Sequence, residues 1–399
     1  MATTLQETIR PVQAEASVQA RATVRLLFVD NLRVFLTILV LLHHLMITYA
    51  ASGSWIYVEG RQDVITDAIG NWFCFINQSY FMSLFLLISA YFVPGSYERK
   101  GTRQFLKDRL IRLGIPLAIY SWLIHPLLVY GFLYTTQSYH LPFLFFYTQQ
   151  YFKYGTLIGA GPLWFVEVLL IFSLFYVVWR LIARNSLPKG IEETRFPDNV
   201  EIVIFALLLG IASFLVRLWY PTDWNFMPLN LQFPYFVPYI VLFVAGLVAY
   251  RRNWLLSLPD PVGRHWLALG ITLILAFPPL GLLLNGSGQN DALFKGGWHW
   301  QALLVAFYEA FLCLSMCIGL VYVFRRYANQ RGNLARFLVP NAYTAYLIHA
   351  PVLVIVALAM RNVDLYPLLK FVLAGLVAVP LCFLISDLIR KLPYTQHIL

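Results

Sequence analysis

Ten stretches of about 20 apolar residues recur along the chain, each the length that crosses the hydrocarbon core of a bilayer. They cover 27–50, 71–93, 110–134, 162–183, 200–219, 233–250, 266–284, 298–324, 334–360 and 367–389. Backbone polar groups have no water to bond with in lipid, so runs of this kind restrict the chain to an all-α polytopic membrane helix bundle of about ten transmembrane helices. With 60% hydrophobic and 12% charged residues and a mean hydropathy of +0.68 over 399 residues, the composition excludes an ordinary soluble domain. The longest connections run to about 25 residues, too short for a separate domain.

The net charge of +10 does not point to nucleic acid, because of where the basic residues lie. Of 29 Lys and Arg, 23 fall in the N-terminal segment, the C-terminal segment and every second connection, and only Arg61, Lys153, Lys295 and Arg361 fall in the alternate ones. The remaining two, Arg217 and Lys370, sit at span ends, where a long side chain can snorkel. Cytoplasmic loops carry the Lys and Arg excess, so both termini are expected in the cytoplasm. Residues 1–25 are polar with no apolar core, which predicts a flexible cytoplasmic tail rather than a secretory signal, and 394–399 form a second short tail. The four cysteines (Cys74, Cys313, Cys317 and Cys382) lie inside spans without metal-ligand spacing, so they read as packing residues and no metal is expected.

The first span places Asp30, Arg33, His43 and His44 in a segment otherwise fit for lipid. Charged groups there are costly and face a bundle interior or a cavity. Arg33 and His44 are eleven residues apart, which at about 100° per residue returns His44 to within roughly 20° of Arg33 and about 16 Å further along the helix. His43 points about 80° away from that line. One polar stripe, with Thr37 between, therefore joins Arg33 to His44.

Along the rest of the chain, Trp55 and Tyr57 in the 51–70 connection suit interfacial aromatics. Arg109 and Arg112, three apart on one helix face, suit either an anionic lipid surface or the phosphates of a donor. His125-Pro126 predicts a kink with a freed carbonyl and a packed, hydrogen-bonded histidine. Trp164 opens the fourth span with Glu167 one turn inside, and a buried carboxylate predicts a His or Arg partner from another span, as does Glu309 in the eighth. His349 in the ninth span falls at a depth comparable to His44 and Glu167, whereas the fifth, sixth, seventh and tenth spans read as scaffold. No Walker motif, dinucleotide fingerprint or Gly-x-Ser-x-Gly elbow is present.

Four fragments in order carry a resemblance. They are Asp30-Asn31-Leu32-Arg33 followed by His44, the 84–92 stretch LFLLISAYF followed by Arg109-x-x-Arg112 and Ile115-Pro116, Leu163-Trp164-Phe165-Val166-Glu167, and the 341–352 stretch NAYTAYLIHAPV. On these, the chain resembles the acyltransferase-3 family of integral-membrane acyltransferases, closest to its glucan biosynthesis protein C, succinyltransferase-like, branch. The resemblance covers 26–393 as one transmembrane domain. It implies O-acyl transfer at the cell membrane from a cytoplasmic acyl-CoA to a hydroxyl of a saccharide or other envelope acceptor, with no tightly bound cofactor. Arg33 and His44 look like the family's functional pair, and Ser89-Ala90 departs from its usual Ser-Gly.

Acyl transfer needs a group that deprotonates the acceptor hydroxyl or takes the acyl group itself, and neutral histidine serves both. His44 is the candidate, with Glu167 or Asp30 orienting a partner. Arg33, Arg109 and Arg112 would hold the donor, and His349, Trp164 and Ser89 would line the substrate path. The rival reading is a proton-coupled transporter of a sugar or anion that uses the same intramembrane His and Glu.

Overall fold

The computed structural model describes residues 26–59, 63–154, 159–183, 194–226, 229–285, 291–393, 395 and 398. The expected tail at 1–25 lies outside the described residues, as does most of 394–399. The described residues form helices and turns with no strand, beyond one isolated bridge between Phe226 and Leu231.

The helices are α1 (Leu27–Tyr49), α2 (Val64–Tyr91), α3 (Val93–Thr136), α4 (Trp164–Ile182), α5 (Asn199–Arg217), α6 (Phe236–Arg251), α7 (Asp260–Asn285), α8 (Trp300–Tyr327), α9 (Asn333–Ala359) and α10 (Pro367–Arg390). All but α7 belong to the nine helices long and apolar enough among the described residues to cross a membrane. The seventh expected span falls on α7, which has 26 residues and packs along α8. The protein is an all-α membrane bundle.

α1 is its axis, packed by α2, α8, α9 and α10. The apolar window of α2 is 72% buried, against 28% for α5. The outward face of α5 shows why: Val200, Ile204, Leu208, Ile211 and Leu215 recur at helical spacing and are exposed, an apolar stripe suited to lipid.

α2 ends at Tyr91 and the chain turns at Phe92 before Pro94 opens α3. At Ala90, the departure from Ser-Gly, the close helix approach survives with the glycine on the other side. A Cβ on Gly246 of α6 would stand 2.2 Å from the Leu87 carbonyl and 2.8 Å from the Ala90 Cβ.

Prolines shape α3. Pro116 and Pro126 lack the N–H that would reach back four residues, and the helix widens into π-type turns at Leu110–Gly114 and Tyr120–Ile124. The carbonyls left over, those of Arg112 and Trp122, accept hydroxyl hydrogen bonds from Tyr343 and from Tyr147 (3.0 Å). Tyr151 donates to the Ser121 carbonyl (2.9 Å), and a hydroxyl donates only once, so His125 Nδ1 carries the proton in its 2.7 Å contact with Tyr151. His125 is thus the hydrogen-bonded packing residue expected of it.

Two charged residues depart from expectation. Arg217 and Lys370 do not snorkel: their side chains are 2% and 5% exposed, with Arg217 paired to Glu309 at 2.5 Å and Lys370 to Glu59 at 2.8 Å. The predicted partner of Glu309 is therefore an arginine of α5, so α5 and α10 are more than scaffold. Gln78, Ser213 and Tyr239 join Arg217 and Glu309 around a cavity of about 10 Å³, room for a single water.

Removing one partner of a buried ion pair strands the other charge, at a cost of about 3–5 kcal/mol, whereas replacing both by apolar residues of similar volume costs far less. Glu309→Leu is expected to destabilise the protein in detergent by that amount, and the double variant Arg217→Met with Glu309→Leu to recover most of it. Unfolding midpoints of the two variants check this.

Candidate active site

The site is built on α1. At the end carrying the basic residues, Asn31 donates its side-chain amide to the carbonyls of Ala328 (2.7 Å) and Gln330 (3.0 Å), which clamps the start of α1 to the connection between α8 and α9. Two residues on, Arg33 stands 4.7 Å over the Phe92 ring and 3.9 Å from Asp30. Arg109, stacked 5.1 Å over Phe105, lies within Coulombic range of Arg33 and Arg112. Arg33 and Arg109 are half-buried and Arg112 is exposed, and the three guanidinium groups cluster at this end of the bundle. Half-buried Ser89 precedes Phe92 at the same end. Planar guanidinium groups grouped this way bind phosphate or carboxylate oxygens through paired hydrogen bonds.

Further along the same stripe, His44 meets His349 of α9 with ring centroids 5.0 Å apart. Both imidazoles are oriented by their own helices. His44 Nδ1 lies 3.0 Å from the Val40 carbonyl, and His349 Nδ1 lies 2.5 Å from the Tyr346 carbonyl. A carbonyl only accepts, so each Nδ1 carries a proton, and in the neutral ring Nε2 is then the nitrogen that keeps its lone pair. The Nε2 of His349 is buried without a partner among the described residues. His43 points elsewhere, buried against Phe81 with centroids 5.0 Å apart, as the helical arithmetic requires.

The 341–349 stretch shows why its residues recur at helical spacing. Asn341 accepts from Arg390 of α10 (3.2 Å), Tyr343 donates to the carbonyl of Arg112, and Tyr346 donates to the carbonyl of Pro162 (2.7 Å) at the entry to α4. Three neighbouring helices are thereby fixed around His349.

Other expected residues fall differently. Glu167 is 3% exposed, and neither carboxyl oxygen has a hydrogen-bond partner among the described residues, so the His or Arg expected opposite it is not there. Glu167 orients no histidine among the described residues; the backbone carbonyls hold both imidazoles, and Asp30 lies beside Arg33. Trp164 stacks at 5.2 Å on Tyr239 of α6, a residue that lines the Arg217 cavity. Trp55, read as an interfacial aromatic, instead stacks on His44 at 4.2 Å. Nothing in the sequence signalled this contact, because it depends on the chain turning back after Tyr49. Among the described residues no cluster of His, Cys, Asp or Glu is arranged to hold a metal, and the four cysteines are buried and free.

A cluster of guanidinium groups and, further along the same helix, a pair of imidazoles suit group transfer from an anionic donor. A family model described as an acyltransferase domain, that of the acyltransferase-3 family, matches residues 26–387. The chain belongs to the acyltransferase-3 family. It is a membrane acyltransferase. Glucans biosynthesis protein C of Escherichia coli strain K12 is 26% identical over 343 residues, which cover 81% of each chain. The protein of that name from Escherichia coli O157:H7 strain EC4115 aligns equally, at 26% over 343 residues and 81% of each chain. That of Escherichia coli O139:H28 strain E24377A is 25% identical over 341 residues, again 81% of each chain. No solved structure matches the chain.

The geometry separates the adjacent histidines. His44→Ala is expected to lower acyl transfer at least about a hundredfold, the usual worth of a general base, while folding is retained. His43→Ala, which removes a packing contact with Phe81, is expected to be mild. Turnover by purified, folded variants checks this, and an active His44→Ala beside an inactive His43→Ala would reverse the assignment.

Proposed function

We propose that this acyltransferase moves an acyl group, acetyl or succinyl, from a cytoplasmic acyl-CoA to a hydroxyl of a saccharide or other envelope acceptor across the cell membrane. The observation that carries the reading is the pairing of His44 with His349, each with a free Nε2, at one end of a stripe that begins at three arginines. The excess of Lys and Arg at the Arg33 end makes that end the cytoplasmic one. There Arg33, Arg109 and Arg112 bind the donor phosphates, and the thioester arm spans the roughly 16 Å of α1 to reach His44.

At the outer end the acceptor hydroxyl gives its proton to His44 Nε2 as its oxygen attacks the thioester carbonyl. The carbon–sulfur bond breaks, the thiolate leaves, and the proton passes from His44 to that sulfur. His349 supplies a second basic nitrogen beside the reacting groups. The Val40 and Tyr346 carbonyls hold both rings in the required tautomer and add no charge to the membrane interior. A saccharide acceptor is supported by the name of the relatives, which concerns glucan biosynthesis.

The test supplies purified protein in nanodiscs with isotopically labelled acetyl-CoA or succinyl-CoA and an envelope glycan extract, and reads the acceptor by mass spectrometry. Labelled acyl mass on a glycan is the expected result. Envelope sugar or anion accumulating unchanged in proteoliposomes, with no acyl mass on any fraction, would favour transport instead. Arg109→Gln or Arg112→Gln is expected to weaken donor binding at least about tenfold, because hydrogen bonds to charged groups contribute about 1.5–3 kcal/mol. Unchanged donor affinity with altered lipid preference would assign the arginines to the bilayer surface.

A further inference from the structure

Beyond α1 the chain turns back into the bundle. Residues 51–59 fold over the outer end of α1, and Trp55 inserts so that its ring stacks on His44 at 4.2 Å and 25°. The same ring lies 6.2 Å from His349 and nearly parallel to it, at 14°. One aromatic face thus covers both imidazoles.

The fold-back is tied at each end. Ser52 N–H donates to the side chain of Asn71 (2.9 Å), and Glu59 N–H donates to the carbonyl of Thr48 (2.8 Å). The Glu59 carboxylate accepts from Lys370 of α10 at 2.8 and 3.2 Å and from the Tyr57 hydroxyl at 3.2 Å. Lys370 is almost fully buried, with its ammonium 5.9 Å over the Tyr49 ring, so Glu59 is the countercharge that lets it stay in a low-dielectric interior. The loop is therefore latched at its far end by a buried ion pair. Trp55 itself is half-buried, and its Nε1 has no hydrogen-bond partner among the described residues. The indole is held by its faces.

We propose that Trp55 is the external seal of the histidine pair, held by the Glu59–Lys370 latch, and that it directs the acyl group to a hydroxyl-bearing acceptor instead of to water. This rests on the acyl-transfer reading above. A base that activates an acceptor hydroxyl activates water equally well. In the leak reaction the water oxygen bonds to the thioester carbonyl carbon, the carbon–sulfur bond breaks, and the water proton reaches the departing thiolate through His44 Nε2. The products are a free carboxylic acid and CoA thiol. Excluding water from a reactive site suppresses such side reactions, and an indole over both rings does so at the outer mouth. Trp55 acts through His44, as a positioning residue.

The experiment uses the full chain in nanodiscs and measures CoA thiol release from acyl-CoA with and without the envelope glycan extract. Trp55→Ala is expected to raise the ratio of acceptor-free hydrolysis to transfer by about tenfold, equivalent to about 1.4 kcal/mol of discrimination. Trp55→Phe, which keeps an aromatic face, is expected to stay near the wild-type ratio. Glu59→Gln, which loosens the latch without touching either histidine, is expected to raise it in the same direction and carries the test if Trp55→Ala does not fold. Adding His44→Ala to Trp55→Ala is expected to abolish the leak. An unchanged ratio in both Trp55→Ala and Glu59→Gln, with wild-type transfer intact, would overturn the seal alone. Absence of transfer by the folded wild-type protein would overturn the acyl-transfer reading and the seal with it.

Discussion

The hydrogen bond from His44 Nδ1 to the Val40 carbonyl decides what the centre of this bundle can do. A charged group inside a membrane is costly, and an imidazole without a fixed acceptor for one N–H could present either nitrogen to a substrate. Bonding to its own helix settles the tautomer without importing a carboxylate. His349 is held in the same way by Tyr346. Two basic nitrogens thus stand side by side in an apolar interior with no ion pair to either among the described residues, unlike histidines whose orientation depends on an acidic neighbour. Buried Glu167, with no hydrogen bond of its own among the described residues, is outside this arrangement.

Around that pair the backbone itself supplies much of the polar glue. Pro116 leaves the Arg112 carbonyl without an intrahelical donor, and Tyr343 of α9 fills the position. The same tyrosine-to-carbonyl device recurs from Tyr147 to Trp122 and from Tyr346 to Pro162. In lipid an unsatisfied carbonyl is expensive, so each such bond fixes the register of one helix against its neighbour. The consequence is functional: α9, which carries His349, is keyed to the element that carries Arg109 and Arg112, and a shift of either would separate the arginine mouth from the histidine pair.

Much of this was legible in the sequence because it follows from helical geometry within one element. The length of the apolar runs foretold the helices, and the eleven-residue spacing correctly turned His44, and not His43, toward the Arg33 line. His125-Pro126 announced both a freed carbonyl and a bonded histidine. What escaped prediction were pairings between elements distant in the chain. Arg217 and Lys370 read as snorkelling residues because periodicity does not reveal that Glu309 and Glu59 wait on other elements. Trp55 read as an interface anchor because nothing local to 51–59 shows that a lysine 311 residues beyond Glu59 ties the loop inward. The partner sought for Glu167 failed for the converse reason: the cost of a buried carboxylate argues that a partner is needed, and says nothing of whether a helix face supplies one.

The most direct measurement is a structure of the protein in nanodiscs with a non-cleavable thioether analogue of an acyl-CoA. The account requires the phosphates among Arg33, Arg109 and Arg112, and the carbon that takes the place of the thioester carbonyl within about 3–3.5 Å of His44 Nε2, the range of a near-attack arrangement. Phosphates at the opposite face, or an acyl arm ending in the Arg217 cavity instead of beside His44, would contradict it.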